Sequence, residues 1–301
     1  MSQVATVSPA AVGFFGKIPA ERDFVRINAG SFLQAGLDHW FQEGAEHLPA
    51  TGLPEEPACF ILSAAVGGRP FVGVLAPGED ALGRAFPVVI FAALDAQWMR
   101  ENFPLVSVQF TGFWEAGARL AVAARRLGAA QLAGEIDTLT SGFRPAGQAL
   151  DALLDRSRCS HLRAAAGGPP EAAAYALTTL VAACCQSKAV DSSERALVLD
   201  CPAPTDELRA FWLELVRRHL RAQMPSFLWT RANGRLLVAL GPAPSRLLAY
   251  LADPKHENSR LWPLRTIDQS ALRNAFEKLS SSQTQTLAAM DASLADVLQA
   301  F

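Results

Sequence analysis

The 301-residue chain sets 27 Lys and Arg against 29 Asp and Glu, a formal charge of −2, and half of its residues are hydrophobic. That composition belongs to a globular chain with a sizeable core rather than to a disordered one, and with no net basic field there is nothing to attract nucleic acid. No apolar run reaches the roughly 20 residues of a membrane helix, so no membrane insertion is expected.

The first ten residues, MSQVATVSPA, have neither a basic start nor a long apolar stretch, and no signal peptide is expected. Val12, Phe14 and Phe15, broken by Gly13 and Gly16, read as a short buried strand running into a turn. A charged knot follows: Lys17, Pro19, Glu21, Arg22, Asp23 and Arg26 around Phe24 and Val25. The spacing of Leu33, Leu37, Trp40, Phe41 and Gly44 predicts one amphipathic helix, with Ser31 as N-cap and Gln34 completing a capping box. Beyond the proline-rich stretch 49–57, the runs CFILSAAV and FVGVLAP flank Gly67-Gly68 and predict a hairpin. A loop spans 78–84. Phe86 to Leu94 (FPVVIFAAL) then reads as a central strand, apolar on both faces, with Pro87 at its start. Helices are predicted around Trp98 to Phe103 and from Phe113 to Leu127.

The stretch 141–170 reads as a junction: a short helix at 149–154, the basic cluster Arg156, Arg158, His161 and Arg163, then Gly-Gly-Pro-Pro. Such a cluster is either a patch for an acidic partner or, more commonly, a solvated linker. An Ala-rich helix over 171–185 and a strand over 196–199 come next. Thr205 caps a helix that puts Leu208, Phe211, Trp212, Leu215, Val216 and Leu220 on one face and Arg217, Arg218 and Arg221 at its C-terminal end. Strands at 227–230 and 235–240 form a hairpin over Asn233-Gly234, a type I′ signal. Helices follow at 245–251 and 271–279, with a loop between them that carries Asp253, Lys255, His256, Glu257 and Trp262. The stretch SSSQTQT reads as a polar hinge, and Leu287 to Phe301 as a last helix. The two hairpins, each preceded by a tryptophan-bearing helix, leave two readings open: a pair of related half-domains, or coincidence.

The absence of a regular βαβ alternation points to an α/β fold of the α+β kind. It has a mostly antiparallel sheet flanked by helices in an N-terminal domain (1–140), the junction (141–170), and a smaller, helix-rich mixed α/β region (171–301).

Few constellations carry chemistry. GFFGKI at 13–18 glances at a phosphate-binding loop, but Ala11 stands at the first glycine position and Ile18 where a Ser or Thr is needed. The chain has no HExxH, GxSxG or GxGxxG. His39 and His47 flank one helix and suit surface roles. Cys159 and His161 have no visible third group to orient them. The five cysteines, at 59, 159, 184, 185 and 201, form no CxxC pair and point to a reduced, cytoplasmic protein. No catalytic residue, metal or cofactor is expected. The knot of Lys17, Arg22, Asp23 and Arg26 has two readings. One is an internal network in which Asp23 fixes the strand-to-helix corner; the other is an exposed surface, with Phe24 as apolar anchor, that grips a partner. Arg84 faces the same choice, and Trp40 and Trp212 are expected in the core.

GKIPAERDFVR at 16–26, the helix with Leu37-Asp38-His39-Trp40, GVLAP at 73–77 and Gly83-Arg84-Ala85-Phe86-Pro87 together resemble the TagF (ImpM) family of type VI secretion-associated proteins. The order and spacing of Gly-Lys-x-Pro, Asp-Phe-Val, Asp-x-Trp and Gly-Arg-x-Phe-Pro match over residues 12–90. Two positions depart: Arg22 stands where the family has glycine, and Leu37 where it has tryptophan. The resemblance singles out Gly16, Lys17, Pro19, Arg22, Asp23, Phe24, Arg26, Trp40, Gly83, Arg84, Phe86 and Pro87. It implies a cytoplasmic, non-enzymatic repressor of secretion that binds and sequesters the system's forkhead-associated scaffold protein, with the regulatory kinase as a second candidate partner. A structural subunit of the apparatus and a small nucleotide-binding enzyme are the alternatives.

Overall fold

The computed structural model describes residues 11–63, 68–143, 145–187, 196–220, 224–230, 233–253 and 260–301. Within them nine strands form one sheet: β1 (Gly13–Gly16), β2 (Val25–Ile27), β3 (Ala58–Leu62), β4 (Phe71–Ala76), β5 (Val88–Ala93), β6 (Leu197–Pro202), β7 (Ser226–Trp229), β8 (Arg235–Leu240) and β9 (Leu261–Pro263). Their order is β2-β1-β5-β4-β3-β7-β8-β6-β9. Every pairing is antiparallel except β6 with β9. The sheet therefore has the mixed α/β, mostly antiparallel character that the sequence led us to expect. It also runs unbroken through both halves of the chain. The seam is β3 against β7, where Cys59, Phe60 and Ile61 face Trp229, Leu228 and Phe227.

Apolar side chains line both faces because helices cover both. On one face Phe15, Phe60, Phe71, Val89, Phe91, Leu228 and Leu237 are buried under α1 (Gly30–Gln34) and α2 (Leu37–Glu46). Phe32 stacks on Phe91 at 4.3 Å and on Phe41 at 5.8 Å; each such pair adds about 0.5–1.5 kcal/mol beyond its burial. The opposite face, with Phe14, Ile61, Val74, Ile90, Phe227 and Val238, lies under a thicker helical layer. That layer comprises α3 (Ala96–Asn102), α4 (Val106–Gln109), α5 (Thr111–Ala123), α6 (Ala129–Gly142), α7 (Leu150–Leu154), α8 (Cys159–Ala166), α9 (Pro170–Gln186) and α10 (Asp206–His219). After α11 (Leu247–Ala252), which packs beside α2 on the first face, the layer is completed by α12 (Gln269–Glu277), α13 (Ser281–Ala288) and α14 (Leu294–Ala300).

Several expectations need correction. The helix predicted from Ser31 is two helices, broken at Gly36 with φ +69°, and Ser31 lies inside α1 behind an Ala29 cap. The cause is upstream: Asn28 at φ +50° donates its amide to the Val12 carbonyl at 2.9 Å, so the chain turns into α1 directly off β2. The basic stretch 156–163 is no solvated linker. It enters α8, whose Cys159 and Leu162 sit in the core. SSSQTQT is no hinge: Ser280 and Gln283 cap α13 reciprocally, and Leu287 is buried. Only Gly234 of the Asn233-Gly234 pair has positive φ, and the strands end at Trp229 and Arg235, so the loop is longer than a two-residue type I′ turn. Residues 1–10, Gly67, Arg221, Lys255, His256 and Glu257, on which parts of the sequence reading fell, lie outside the described residues.

The half-domain reading also fails on geometry. Neighbouring antiparallel strands such as β3 and β7 are related by a two-fold axis normal to the sheet, which would leave equivalent helices on the same face. Instead Phe41 of α2 packs with Phe60 on one face, whereas Phe211 and Trp212 of α10 belong with Phe227 to the core on the other.

Gly73, in the middle of β4, is required by packing: a Cβ there would collide with the Ile90 carbonyl and the Phe60 ring. Gly30, at the first turn of α1, would meet nothing. We expect Gly73→Ala to cost about 2 kcal/mol by overpacking. Gly30→Ala should be neutral or stabilising by up to about 1 kcal/mol. Urea midpoints of the two variants check the contrast.

Candidate functional site

The charged knot folds into a corner between β1, β2 and the loop 78–86, and its centre is a residue that the sequence reading passed over, Asp80. This carboxylate is buried. Its Oδ2 accepts from Lys17 Nζ at 3.0 Å and from Arg84 Nε at 2.7 Å. Its Oδ1 accepts the amides of Leu82 at 2.9 Å and Arg84 at 3.0 Å. Gly83, at φ +73°, lets the loop close so that these amides point inward. The signal was legible: Asp80 followed three residues later by Gly83 is the ordinary pattern of a tight turn.

Arg84 continues the lock by donating Nη2 to the Arg22 carbonyl at 2.6 Å, and the Ala81 amide reaches the Glu21 carbonyl at 2.8 Å. The two chain segments are thus clamped by side chain and backbone together. Lys17 is buried beside Asp80, and its ammonium also lies 5.2 Å from the centre of the Phe24 ring. Phe24 stacks on Phe15 at 5.1 Å and meets Phe86 edge-on at 4.8 Å, which ties the corner to the core. Gly16 and Gly78 are needed where the two segments touch. A side chain on the first would strike Pro87, and one on the second the carbonyls of Lys17 and Phe86.

The structure divides the predicted site residues into two groups. Gly16, Lys17, Gly83, Arg84, Phe86 and Pro87 build the clamp or its wall. Arg22, Asp23 and Arg26 have exposed side chains, Pro19 and Phe24 are half-buried, and the Asp23 carboxylate only accepts the amide of its neighbour Phe24 at 2.7 Å. Arg26 lies over the Phe24 ring, with 5.8 Å from guanidinium carbon to ring centre. Asp23 is therefore not the hub of the internal network; Asp80 is. Trp40 stands apart on α2. It is half-buried rather than fully in the core, and its indole donates to the Ala243 carbonyl at 2.8 Å, whereas Trp212 is fully buried. Arg22 has negative φ, since Asn28 alone has positive φ among the described non-glycine residues. The backbone there needs no glycine.

Beside the corner lies a groove of about 530 Å³, walled by Leu48, Leu53, Pro77, Ala85, Phe86 and Pro87. The Arg125–Glu55 ion pair, at 2.8 Å, closes one side of it. Leu82 stands exposed at the tip of the clamped loop. Elsewhere, Cys159 is buried against the Leu287 carbonyl while His161 bonds to Ser157 at 2.9 Å, so the two do not form a pair. None of the five cysteines is in a disulfide. Among the described residues no cluster of His, Cys, Asp and Glu has the makings of a metal site, and no helix is long and apolar enough to cross a membrane.

The family model of the TagF N-terminal domain, type VI secretion system-associated, matches residues 13–139. Over those residues the chain is similar to the TagF N-terminal domain. Among solved structures it is similar in fold to PA0076 from Pseudomonas aeruginosa PAO1, with a TM-score of 0.51 and 17% identity over 84% of this chain and 98% of that one. No curated protein matches it in sequence. Lys17, Asp80 and Arg84 all fall within the matched span of the TagF domain, as do Phe24, Phe86 and Pro87.

Burial alone would push the Asp80 carboxyl pKa up, but the Arg84 and Leu82 amides and the Lys17 and Arg84 cations outweigh it and hold the group well below the usual carboxylate range. With the folded-state pKa depressed, the unfolded chain takes up the proton first. The stabilisation is thus complete above the ordinary Asp range and is lost as pH falls below it. We expect Asp80→Asn to lower the thermal midpoint at neutral pH and to flatten this acid-side dependence. Melting curves from neutral pH down through the carboxylate range check both effects, and an unchanged acid slope in Asp80→Asn would contradict them.

Proposed function

We propose that this protein is a non-enzymatic, post-translational repressor of type VI secretion. On this reading it binds the forkhead-associated scaffold protein of the system through the face around the corner, and holds the scaffold away from assembly. The observation that carries the reading is the TagF domain over residues 13–139, a family described as type VI secretion system-associated, together with the division of labour inside the corner. The buried ions Lys17 and Asp80 are spent on each other, and the exposed Arg84 is spent on Asp80 as well. What remains outward is a preorganised set of anchors: Arg22, Arg26, Leu82 and the half-exposed ring of Phe24. Arginine and aromatic anchors on a rigid frame are what protein interfaces use, because little side-chain or loop entropy is lost on docking.

A catalytic role would require a group free to take up or release a proton, or to attack a substrate. In the corner the one buried carboxylate already has both oxygens occupied by cations and amides. The reading therefore assigns the corner to recognition, in the cytoplasm, where the scaffold and its regulatory kinase would be met.

The test is a pull-down and a titration of the purified chain with the scaffold protein. Wild type should bind in the micromolar range or tighter. Arg22→Glu combined with Arg26→Glu should keep the wild-type melting midpoint, since both side chains are exposed, and weaken binding by about tenfold or more. Failure of the wild type to bind would sink the reading, as would undiminished repression of secretion by the double reversal. Retention of the chain in assembled secretion particles would favour the structural-subunit alternative. A rise in melting temperature with nucleotide and magnesium would favour the enzyme.

A further inference from the structure

A groove of about 450 Å³ runs between α5 and α6. Buried Phe113 and Leu120 form its floor, and half-buried Ala116 and Leu139 stand on its walls. Phe143, just past α6, stacks on Phe110 at 4.6 Å and meets Phe113 edge-on at 5.0 Å. The two helices therefore run antiparallel, with the end of α6 beside the start of α5. Counted inward from that contact, Arg119 lies nine residues from Phe110, and Glu135 lies eight from Phe143. The two stand at nearly the same level, on opposite walls of the groove. Both are exposed, and neither takes part in an ion pair among the described residues.

An apolar strip with one cation on one side and one anion on the other, each left unpaired, is complementary to itself. A two-fold axis along the groove lays α5 of each copy over α6 of the other, as a closed isologous interface requires. It brings Arg119 opposite the partner's Glu135, and Glu135 opposite the partner's Arg119. A helix from a different protein would have to carry both charges at that spacing, whereas a second copy brings them by symmetry. The glycines agree with a close approach. Gly112 and Gly142 line the same end of the groove, and a Cβ on either would meet nothing within 4 Å. Packing within the chain therefore requires neither, although glycine weakens a helix relative to alanine. The formal charge of −2 is small enough that two copies repel each other only weakly.

We propose that the α5–α6 face binds a second copy of this chain, in a two-fold dimer closed by two Arg119–Glu135 ion pairs. The dimer leaves the Asp80 corner to its own partner and does not depend on the repressor reading.

The test is sedimentation velocity of the full chain from about 1 to 100 μM, a range that spans the weak and moderate affinities of such contacts. The wild type should form dimers within it. Arg119→Glu and Glu135→Arg each set like charges opposite one another twice, and each should weaken the dimer by about tenfold or more. Both side chains are exposed, so both variants should keep the wild-type melting midpoint. An equimolar mixture of the two variants should restore the dimer, because the all-acidic wall pair of one then faces the all-basic pair of the other. The double swap, Arg119→Glu with Glu135→Arg in one chain, should dimerise by itself. This rescue separates a two-fold contact from one with a different protein, which neither combination would restore. A wild type that stays monomeric throughout overturns the proposal. So does a dimer that either reversal leaves intact, and so does a failure of both the mixture and the double swap to re-form it.

Discussion

The pairing of β3 with β7 is the constraint on which the rest of the structure depends. Through three residues on each strand it joins a five-strand array from the first third of the chain to a four-strand array from the last third. Strand pairing across so long a separation is slow and entropically costly to form. What holds it is burial on both sides. Phe60 and Leu228 are buried under α2 and α11, and Ile61 and Phe227 under the opposite helical layer. Aromatic contacts cross the seam as well: Phe103, just past α3, meets Phe227 edge-on at 5.5 Å, and Trp114 of α5 meets Trp229 at 5.0 Å. Neither half could close its core alone, because residues of both halves contribute to each of the two main clusters.

The corner at the other end of the N-terminal array follows a different logic. β2 is an edge strand of three residues, too short to hold its place by ladder hydrogen bonds alone. The Asp80 clamp supplies what the ladder lacks: it ties Lys17 of the β1–β2 connection to the 78–86 loop, while Arg84 reaches across to the carbonyl of Arg22. A buried carboxylate with two cations and two amides is stable only when all of its partners are present. Such a device gives a single geometry rather than a large net stabilisation. That is also what a recognition surface requires, since anchors held in place before docking lose less freedom on binding.

How far the chain could be read in advance follows from the kind of signal each element leaves. Central strands such as β5 announce themselves as unbroken apolar runs, and α10 as a capped amphipathic stripe, because burial there is written into consecutive residues. The same serine-to-glutamine spacing occurs at Ser31–Gln34 and at Ser280–Gln283, yet only the second is a helix cap. The difference lies outside the motif, in the Asn28 side chain that anchors the chain to Val12 before Ser31 is reached. Long-range contacts of this kind leave no local trace. α13 was hidden for the opposite reason: a single buried residue, Leu287, holds an otherwise polar helix, so periodicity had nothing to register. At the site, Lys17 and Arg84 were legible as charged residues in an apolar setting. Their shared acceptor lies 63 residues from the first of them and only four from the second, and only its tight-turn spacing to Gly83 sets Asp80 apart in the sequence from the nearer Asp23.

The exchange of Asp80 for Asp23 bears on how the corner is to be understood. Had Asp23 been the hub, the charged residues of the first motif would have satisfied one another and the exposed face would have been a by-product. With Asp80 as the hub, the second motif neutralises Lys17 from below, and the first is left with Arg22 and Arg26 facing outward beside a half-exposed aromatic ring. Two stretches some 60 residues apart are thus coupled by one carboxylate: one supplies the internal lock, the other the outward charges. Arg22 also fits this arrangement without strain. The clamp uses only its carbonyl, which any residue at that position presents, so the lock beneath does not depend on the side chain at position 22.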